Sequence, residues 1–527
     1  MVPGSEFGAD LLRTVEAAGG RILPWEQAVA LRYDLIVAAS PKGALARLRG
    51  PRLLLPHGAG FNKALRNEGT ASEPSGLDEV LLTDEDSLPW ASVHALAHPD
   101  QVERLRRSSE SAAAVAVVVG DPTHERILES AGGRSDFREA LRTGPRKLVV
   151  LTSTWGPYSL LARRPDLAWR LSQALPQDEY QLALVLHPNT HTALGRFEIR
   201  RQLAPAIEAG LVIAAPHAEW ASLLVASDAV ISDHGSTALY AAALGRPVLR
   251  AQPLADFSTE LLPDSPMDQL LAAAPELIDT HCIPQLLAAP TDFLKSQQRA
   301  AESAFVSGVG TLSRLQAQIY RQLHLDPPES AARVPLLPRP AEPPPPSVAW
   351  AVRTTRVAPE HGRDERGLVR ADVRVERFPA AGLLEVDHLA VEFGRCSETQ
   401  LRGAGVVFRR RRPDDDAGAS SRRTADTWMR WALAELPACR TAAVLLSREH
   451  IVLRRRDTGP LLARVRADVR EGRVNWVDPS VVLSAVHAWI LGARPTLLPD
   501  RLQCEVGAGL FTVDVTKAAA SDLDTVV

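Results

Sequence analysis

Five polar clusters in this chain could do chemistry, and each begins where an apolar stretch ends. His57, Gly58, Ala59 and Gly60 follow residues 52–55. Thr152, Ser153, Thr154 and Trp155 close the apolar run 148–152, and His187, Pro188 and Asn189 follow 182–186. His217 follows 211–214, and Asp233, His234, Gly235 and Ser236 follow 229–232 and lead into Thr237. An imidazole titrating near neutrality can take a proton from a hydroxyl. Glycines let the backbone approach a ligand closely. Hydroxyls beside a helix N-terminus suit a phosphate, because unpaired N–H groups and the helix dipole favour an anion there.

Every one of these features has a plainer explanation. Ser236 could simply cap a helix starting at Thr237, and loop histidines often bond nearby backbone. His187 and His191 have HxxxH spacing, but Pro188 and Asn189 are expected to break the helix that a shared metal face requires, and no Glu follows as in HExxH. A metal held by His57, His217 and Asp233 has equally thin support. A Ser-His-Asp hydrolase lacks its GxSxG elbow. His124, His191 and His281 do not fall at strand ends and are left outside the cleft.

The elements that would position the clusters alternate. Strands are expected at 21–24, 34–40, 52–55, 79–83 and 113–119, then at 148–152, 182–186, 211–214, 229–232 and 248–250. Helices are expected at 9–18, 26–32, 42–48, 123–130, 166–174, 198–209, 219–227 and 237–244. Helical pattern continues over 265–323. This alternation predicts two consecutive Rossmann-like, doubly wound α/β domains, over residues 8–122 and 123–325. Ligands of such sheets bind beyond the carboxyl ends of the strands. The chain opens on a helix, so the first domain is expected to be truncated, and residues 1–7 read as a vector-derived scar. A proline-rich linker spans 326–348. Residues 349–527 then read as an α+β domain, with strands at 383–393 and 441–456 and amphipathic helices at 426–436 and 480–491. Residues 409–416 (RRRRPDDD) read as a solvated, charge-balanced loop.

Composition narrows the field. A chain of 527 residues suggests two to four domains. No apolar run reaches the length of a membrane span, and a net charge of −3 gives no reason to expect nucleic acid as a partner. The four cysteines form no CxxC pair, which argues against a zinc module or disulfide framework and fits a reducing cytoplasm. Only five of the 60 basic residues are lysines, as in GC-rich bacterial coding.

The order of motifs (HG at His57-Gly58, HPN at His187–Asn189, SDxxS at 232–236, then GRPV at 245–248) resembles GT-B-fold transferases over about residues 20–325. It is most similar to the CDP-glycerol glycerophosphotransferase-like group of teichoic-acid polymerases, and more widely to GT-B glycosyltransferases and UDP-N-acetylglucosamine 2-epimerases. His234 and Gly235 stand where that group usually has an aromatic residue and a serine. The resemblance implies an acceptor-side first domain and a donor-side second domain. It implies catalytic roles for His57, as base, and His187, at the donor phosphates. Asp233, Ser236 and Thr237 would hold the donor pyrophosphate, together with Thr152, Ser153 and Thr154. Gly58, Asn189, His217 and His234 would line the rest of the cleft.

The implied reaction moves a glycerophosphate or glycosyl group from a nucleotide-diphosphate donor (CDP-glycerol or a nucleotide sugar) to a hydroxyl acceptor in cell-envelope or polysaccharide synthesis. No cofactor and no metal are expected. The implied place is the cytoplasm, with peripheral association at the inner face of the membrane. Two rivals stay open: a UDP-sugar epimerase-like enzyme, and a catalytically silent nucleotide-binding scaffold.

Overall fold

A computed structural model of the chain describes residues 9–527, apart from 42, 56–57, 65–73, 75, 85, 217–219, 258–259, 280–281, 289–290, 307, 346, 357–361, 364–368, 381–384, 412–422, 471 and 493–500. The chain divides into two compact units. The first comprises Met1–Ala168, Leu182–Ala204 and Leu211–Pro343; the second comprises Trp169–Gln181, Pro205–Gly210 and Pro344–Val527.

Two parallel sheets build the first unit. Strands β1 (Ile36–Ala38), β2 (Arg52–Leu54), β3 (Val93–Leu96) and β4 (Ala116–Val118) pair in sequential order. Strands β5 (Lys147–Ser153), β6 (Tyr180–Leu186), β7 (Val212–Ile213), β8 (Ala229–Ser232) and β9 (Val248–Arg250) lie in the order β7-β6-β5-β8-β9. Only this second sheet shows the reversal of a doubly wound fold: the chain winds outward one way from β5 through β6 and β7, then returns to the other side of β5 as β8. The four described strands of the first sheet run one way without reversing. Strands β5 and β8 are buried almost throughout, as parallel strands covered on both faces must be.

The helix Thr311–Gln322 ties the second half of this unit back to the first. Its N-terminal amides at Thr311 and Leu312 donate to the buried Glu125 carboxylate at 3.0 and 2.7 Å. Its residue Leu315 packs with Leu53, Val93, Ala95 and Val119 of the first sheet. The proline-rich segment is not loose along its length: Leu337 is buried in the core around the second sheet, its N–H donates to Ser130 Oγ, and Ser222 Oγ donates to the carbonyl of Pro338.

Several elements differ from expectation. Residues 79–83 form a short helix, Glu79–Leu82, capped by the Asp78 carboxylate on Val80 N; the apolar run Val80-Leu81-Leu82 imitates a strand. Residues 21–24 are not a strand. Strand β3 goes unrecognised in the sequence because His94 interrupts its apolar pattern, although that imidazole is only 2 % exposed. Pro188 does not break a helix but starts one, since proline at the first helical position loses no intrahelical bond; the helical run Pro188–Gln202 is interrupted at Gly195, whose φ is +72°.

The second unit is a closed barrel. Its strands are β10 (Ala349–Arg356), β11 (Gly362–Arg363), β12 (Val369–Pro379), β13 (His388–Glu392), β14 (Val406–Arg410), β15 (Thr441–Leu445), β16 (His450–Arg455), β17 (Leu461–Val465), β18 (Asp468–Arg470), β19 (Arg473–Asn475), β20 (Arg501–Val506) and β21 (Gly509–Lys517). The order β10-β13-β14-β15-β16-β17-β21-β20-β12 closes through antiparallel pairing of β12 with β10, so nine strands form the wall. Closure leaves those strands without a free edge. Side chains alternate as a pleat requires: Ala443 and Leu445 of β15 join one core cluster, while Ala442 and Val444 join another. The first cluster draws on all nine wall strands and on the helix Pro479–Gly492. That helix was expected to be amphipathic, yet Val481 through His487 are all buried without interruption, as a helix packed on every side must be. The helix Ala425–Glu435 packs against the other face through Trp428, Met429 and Ala432.

One buried ion cluster belongs to this barrel unit. Arg377 grips Asp178 through two bonds of 2.7 and 2.6 Å and reaches Asp478 and Ser480 at 3.2 and 2.9 Å. Burial works against its charge, but Asp178 and Asp478 more than offset that and raise its pKa.

Candidate active-site crevice

In a sheet of this order the switch point lies between β5 and β8, and the carboxyl ends of those strands are where such folds form their ligand crevice. Thr152 and Ser232 end the two strands side by side, with Thr152 Oγ1 donating to Ser232 Oγ at 2.7 Å. Asp233 then fastens the diverging loops. Its carboxylate, with no exposed surface, accepts from Thr154 N at 2.8 Å, Leu160 N at 2.7 Å and Gly235 N at 2.9 Å. Both oxygens are therefore committed to backbone amides. Ser153 is likewise occupied, donating to the Thr154 carbonyl and accepting from Leu161 N.

Ser236 and Thr237 are placed differently. Ser236 precedes the helix Thr237–Ala243 but makes no side-chain capping bond, so simple capping does not account for its hydroxyl. The first-sheet loop meets it here. Gly58 has φ +72°, and a Cβ at that position would lie 3.3 Å from Ser236 Oγ; glycine supplies both the left-handed backbone and the clearance. His57 and His217 lie outside the described residues.

His187 enters beside β5, its N–H donating to the Ser153 carbonyl at 3.0 Å. Its Nδ1 accepts from Asn189 N at 3.1 Å, so in the neutral ring the proton sits on Nε2, which becomes a donor. The Trp155 ring, 42 % exposed, lies 6.2 Å from the His187 ring. The same cap recurs at His98, whose Nδ1 accepts from Asp100 N at 3.2 Å ahead of Pro99. A His-Pro dipeptide is thus a capping device in this chain, and both copies follow a strand, His98 after β3 and His187 after β6; His187 alone is bonded to the end of β5.

His234 is fully buried, tilted against Phe257 at 4.8 Å, with Nε2 2.9 Å from Glu260 Oε2. The bond from His234, with lesser help from the nearby charges, holds the Glu260 carboxyl below its usual range. Sequence reading misses Glu260 and also Lys63, whose Nζ lies 3.4 Å from Thr154 Oγ1. The loop carrying Lys63 is knitted to the chain around Glu260: Ala64 N donates to the Glu260 carbonyl, and Asn62 Oδ1 accepts from Met267 N. Burial lowers the Lys63 pKa, opposed by Asp233 and Glu260. Only lysine's scarcity in so arginine-rich a chain marks the position beforehand. The crevice therefore gathers Gly58, Lys63, Thr154, Ser236 and Thr237 from three loops. Among the described residues no group of His, Cys, Asp and Glu is arranged to hold a metal ion.

No family profile and no curated protein matches this chain. Solved structures resemble it in part. The wall teichoic acid polymerase TagF has 14 % identity and a TM-score of 0.38, over 52 % of this chain and 68 % of its own. A TagF variant soaked with CDPG has 14 % identity and a TM-score of 0.40, over 55 % and 72 %. HepE of Anabaena, in complex with UDP-glucose, has 15 % identity and a TM-score of 0.32, over 56 % and 80 %.

Proposed function

We propose that the first unit transfers a glycerophosphate or glycosyl group from a nucleoside-diphosphate donor to a hydroxyl acceptor. The carrying observation is the meeting of the first-sheet loop with the carboxyl ends of β5 and β8, where Gly58 closely approaches Ser236, whose hydroxyl caps no helix, and Lys63 reaches Thr154. In this reading Ser236, Thr237 and Thr154 receive the donor pyrophosphate, and Thr152, Ser153 and Asp233 hold the loops in shape. His187 donates from Nε2 to a phosphate oxygen as charge grows on the leaving group. His57, which follows β2 next to Gly58, takes the acceptor proton. A sugar donor would transfer its anomeric carbon; CDP-glycerol would transfer its glycerol-bearing phosphorus. In both cases the acceptor oxygen forms the new bond and the nucleotide leaves.

Nucleotide-activated donors are made in the cytoplasm, which places the reaction there, with the acceptor polymer at the inner face of the membrane. No described helix is long and apolar enough to cross a membrane. The test is turnover: the full chain is incubated with CDP-glycerol, UDP-sugars or GDP-sugars and candidate polyol or glycan acceptors, and nucleotide release is followed. Acceptor-dependent release that collapses in His57→Ala supports the transfer. Undiminished release in that variant removes His57 from the mechanism. Donor binding with no turnover under any acceptor would instead favour a nucleotide-sensing scaffold.

A further inference from the structure

Lys63 stands out in the first unit because its ammonium makes no direct ion pair with a described carboxylate and engages one described side chain, Thr154. An ammonium has three donors. Lys63 uses one, in the 3.4 Å contact with Thr154 Oγ1, and forms no ion pair within 4.0 Å with a described carboxylate. The two acids near enough to influence it are already engaged: Asp233 with three backbone amides, Glu260 with His234. Its backbone is pinned by the bridge to Leu261 and the bond from Ala64 N to the Glu260 carbonyl, so the side chain leaves from a fixed base. A partly buried ammonium held this way is costly unless something anionic completes it.

We propose that Lys63 is the anion-binding cation of the crevice, its spare donors taking the phosphate oxygens of the ligand beside Thr154 and Ser236. This rests on the crevice being a phosphate site and adds the residue that gives it charge. Residue type supports it. In a chain where 55 of the 60 basic residues are arginine, this position carries the compact, rotatable ammonium, which enters among short loops where a planar guanidinium needs more room. Burial lowers the Lys63 pKa and the nearby Asp233 and Glu260 charges oppose that shift. A phosphate completes what they leave unmade.

The experiment uses the full chain, as wild type, Lys63→Met and Lys63→Arg, in calorimetric titrations with UDP, CDP, GDP, ADP and inorganic pyrophosphate, beside ligand-free thermal unfolding. Loss of a charge-assisted hydrogen bond predicts about 10- to 100-fold weaker binding in Lys63→Met, with Lys63→Arg retaining more of the affinity than Lys63→Met. Ligand-free Lys63→Met is expected to melt no lower than wild type, because a partly buried charge without a direct ion pair has been removed; a residue with a structural role would lower the melting temperature. Equal binding by wild type and Lys63→Met overturns the assignment, as does failure of wild type to bind any probe, pyrophosphate included. Lys63-dependent binding of pyrophosphate without any nucleoside diphosphate would uphold Lys63 as the anion site while overturning the nucleotide-donor reading.

Discussion

Replacing Asp233 by alanine tests whether this carboxylate is the clasp of the crevice. The side chain has no exposed surface and accepts from three backbone amides at 2.7 to 2.9 Å. Alanine removes every acceptor at once and leaves Thr154, Leu160 and Gly235 N–H groups without partners. Each buried donor left unsatisfied costs about 1–3 kcal/mol, and water entering the gap recovers part of this, so a loss of roughly 3–6 kcal/mol is expected. At about 1.5 °C per kcal/mol for a unit of this size, the melting transition of the first unit should fall by roughly 5–9 °C. Asp233→Asn retains one acceptor oxygen but turns an NH2 toward donors, and should fall in between. Calorimetry on the full chain reads the transition, and amide exchange at Thr154 and Leu160 localises the change. A shift under about 2 °C with unchanged exchange at both amides would refute the clasp, because three orphaned amides cannot cost so little.

Four further outcomes follow from other contacts. Glu125→Ala strips the acceptor from Thr311 N and Leu312 N, and should destabilise the first unit by about 2–4 kcal/mol, with faster amide exchange over Thr311–Gln322. Arg377→Met leaves the half-buried Asp178 without its bidentate cation, while Asp478 keeps Arg410 at 2.8 Å, and should destabilise the barrel by about 1–3 kcal/mol, read by urea unfolding. In the barrel, burial depresses His388 to about 4 and His487 to about 2, so both stay neutral when folded. Unfolded imidazole binds its proton below about pH 6.5, so stability is fully present above that pH and falls as pH drops toward 4. The loss reaches of order 3 kcal/mol per group, and His487→Gln should flatten the urea-midpoint slope over that window by about one proton. Finally, His187→Ala and His98→Ala each remove a helix cap worth about 1 kcal/mol, but only His187→Ala should also weaken nucleotide binding in calorimetry; equal effects would make His187 a cap and nothing more.

The parallel strands around the crevice were legible because they are short apolar runs closed by turn residues: 229–232 and 248–250 stand at their predicted limits. What escaped has physical causes. A search for amphipathic periodicity cannot describe Pro479–Gly492, because a helix buried on all sides has no polar face. Barrel closure depends on β12 pairing with β10, a contact between segments that carry no mark of partnership. Strand β3 hides behind a buried histidine whose polarity suggests a surface. In the site, strand-end placement singled out the loops after β2, β5 and β8, and these do come together. The division of labour among their residues was not legible. Asp233 looks like a ligand residue in sequence, yet its oxygens face its own backbone. Lys63 and Glu260 become neighbours of the crevice only through contacts spanning 91 residues, to Thr154, and 26 residues, to His234.

In the proposed function the β5–β8 crevice holds the phosphates of a nucleoside diphosphate. The most direct measurement is a crystal structure of the full chain with the tightest-binding member of the UDP, CDP, GDP and ADP panel. Phosphate oxygens are expected within hydrogen-bond distance of Lys63 Nζ and of Ser236 or Thr237, with Asp233 still bound to its three amides. A nucleotide seated elsewhere, leaving Lys63 and Ser236 untouched, would contradict it.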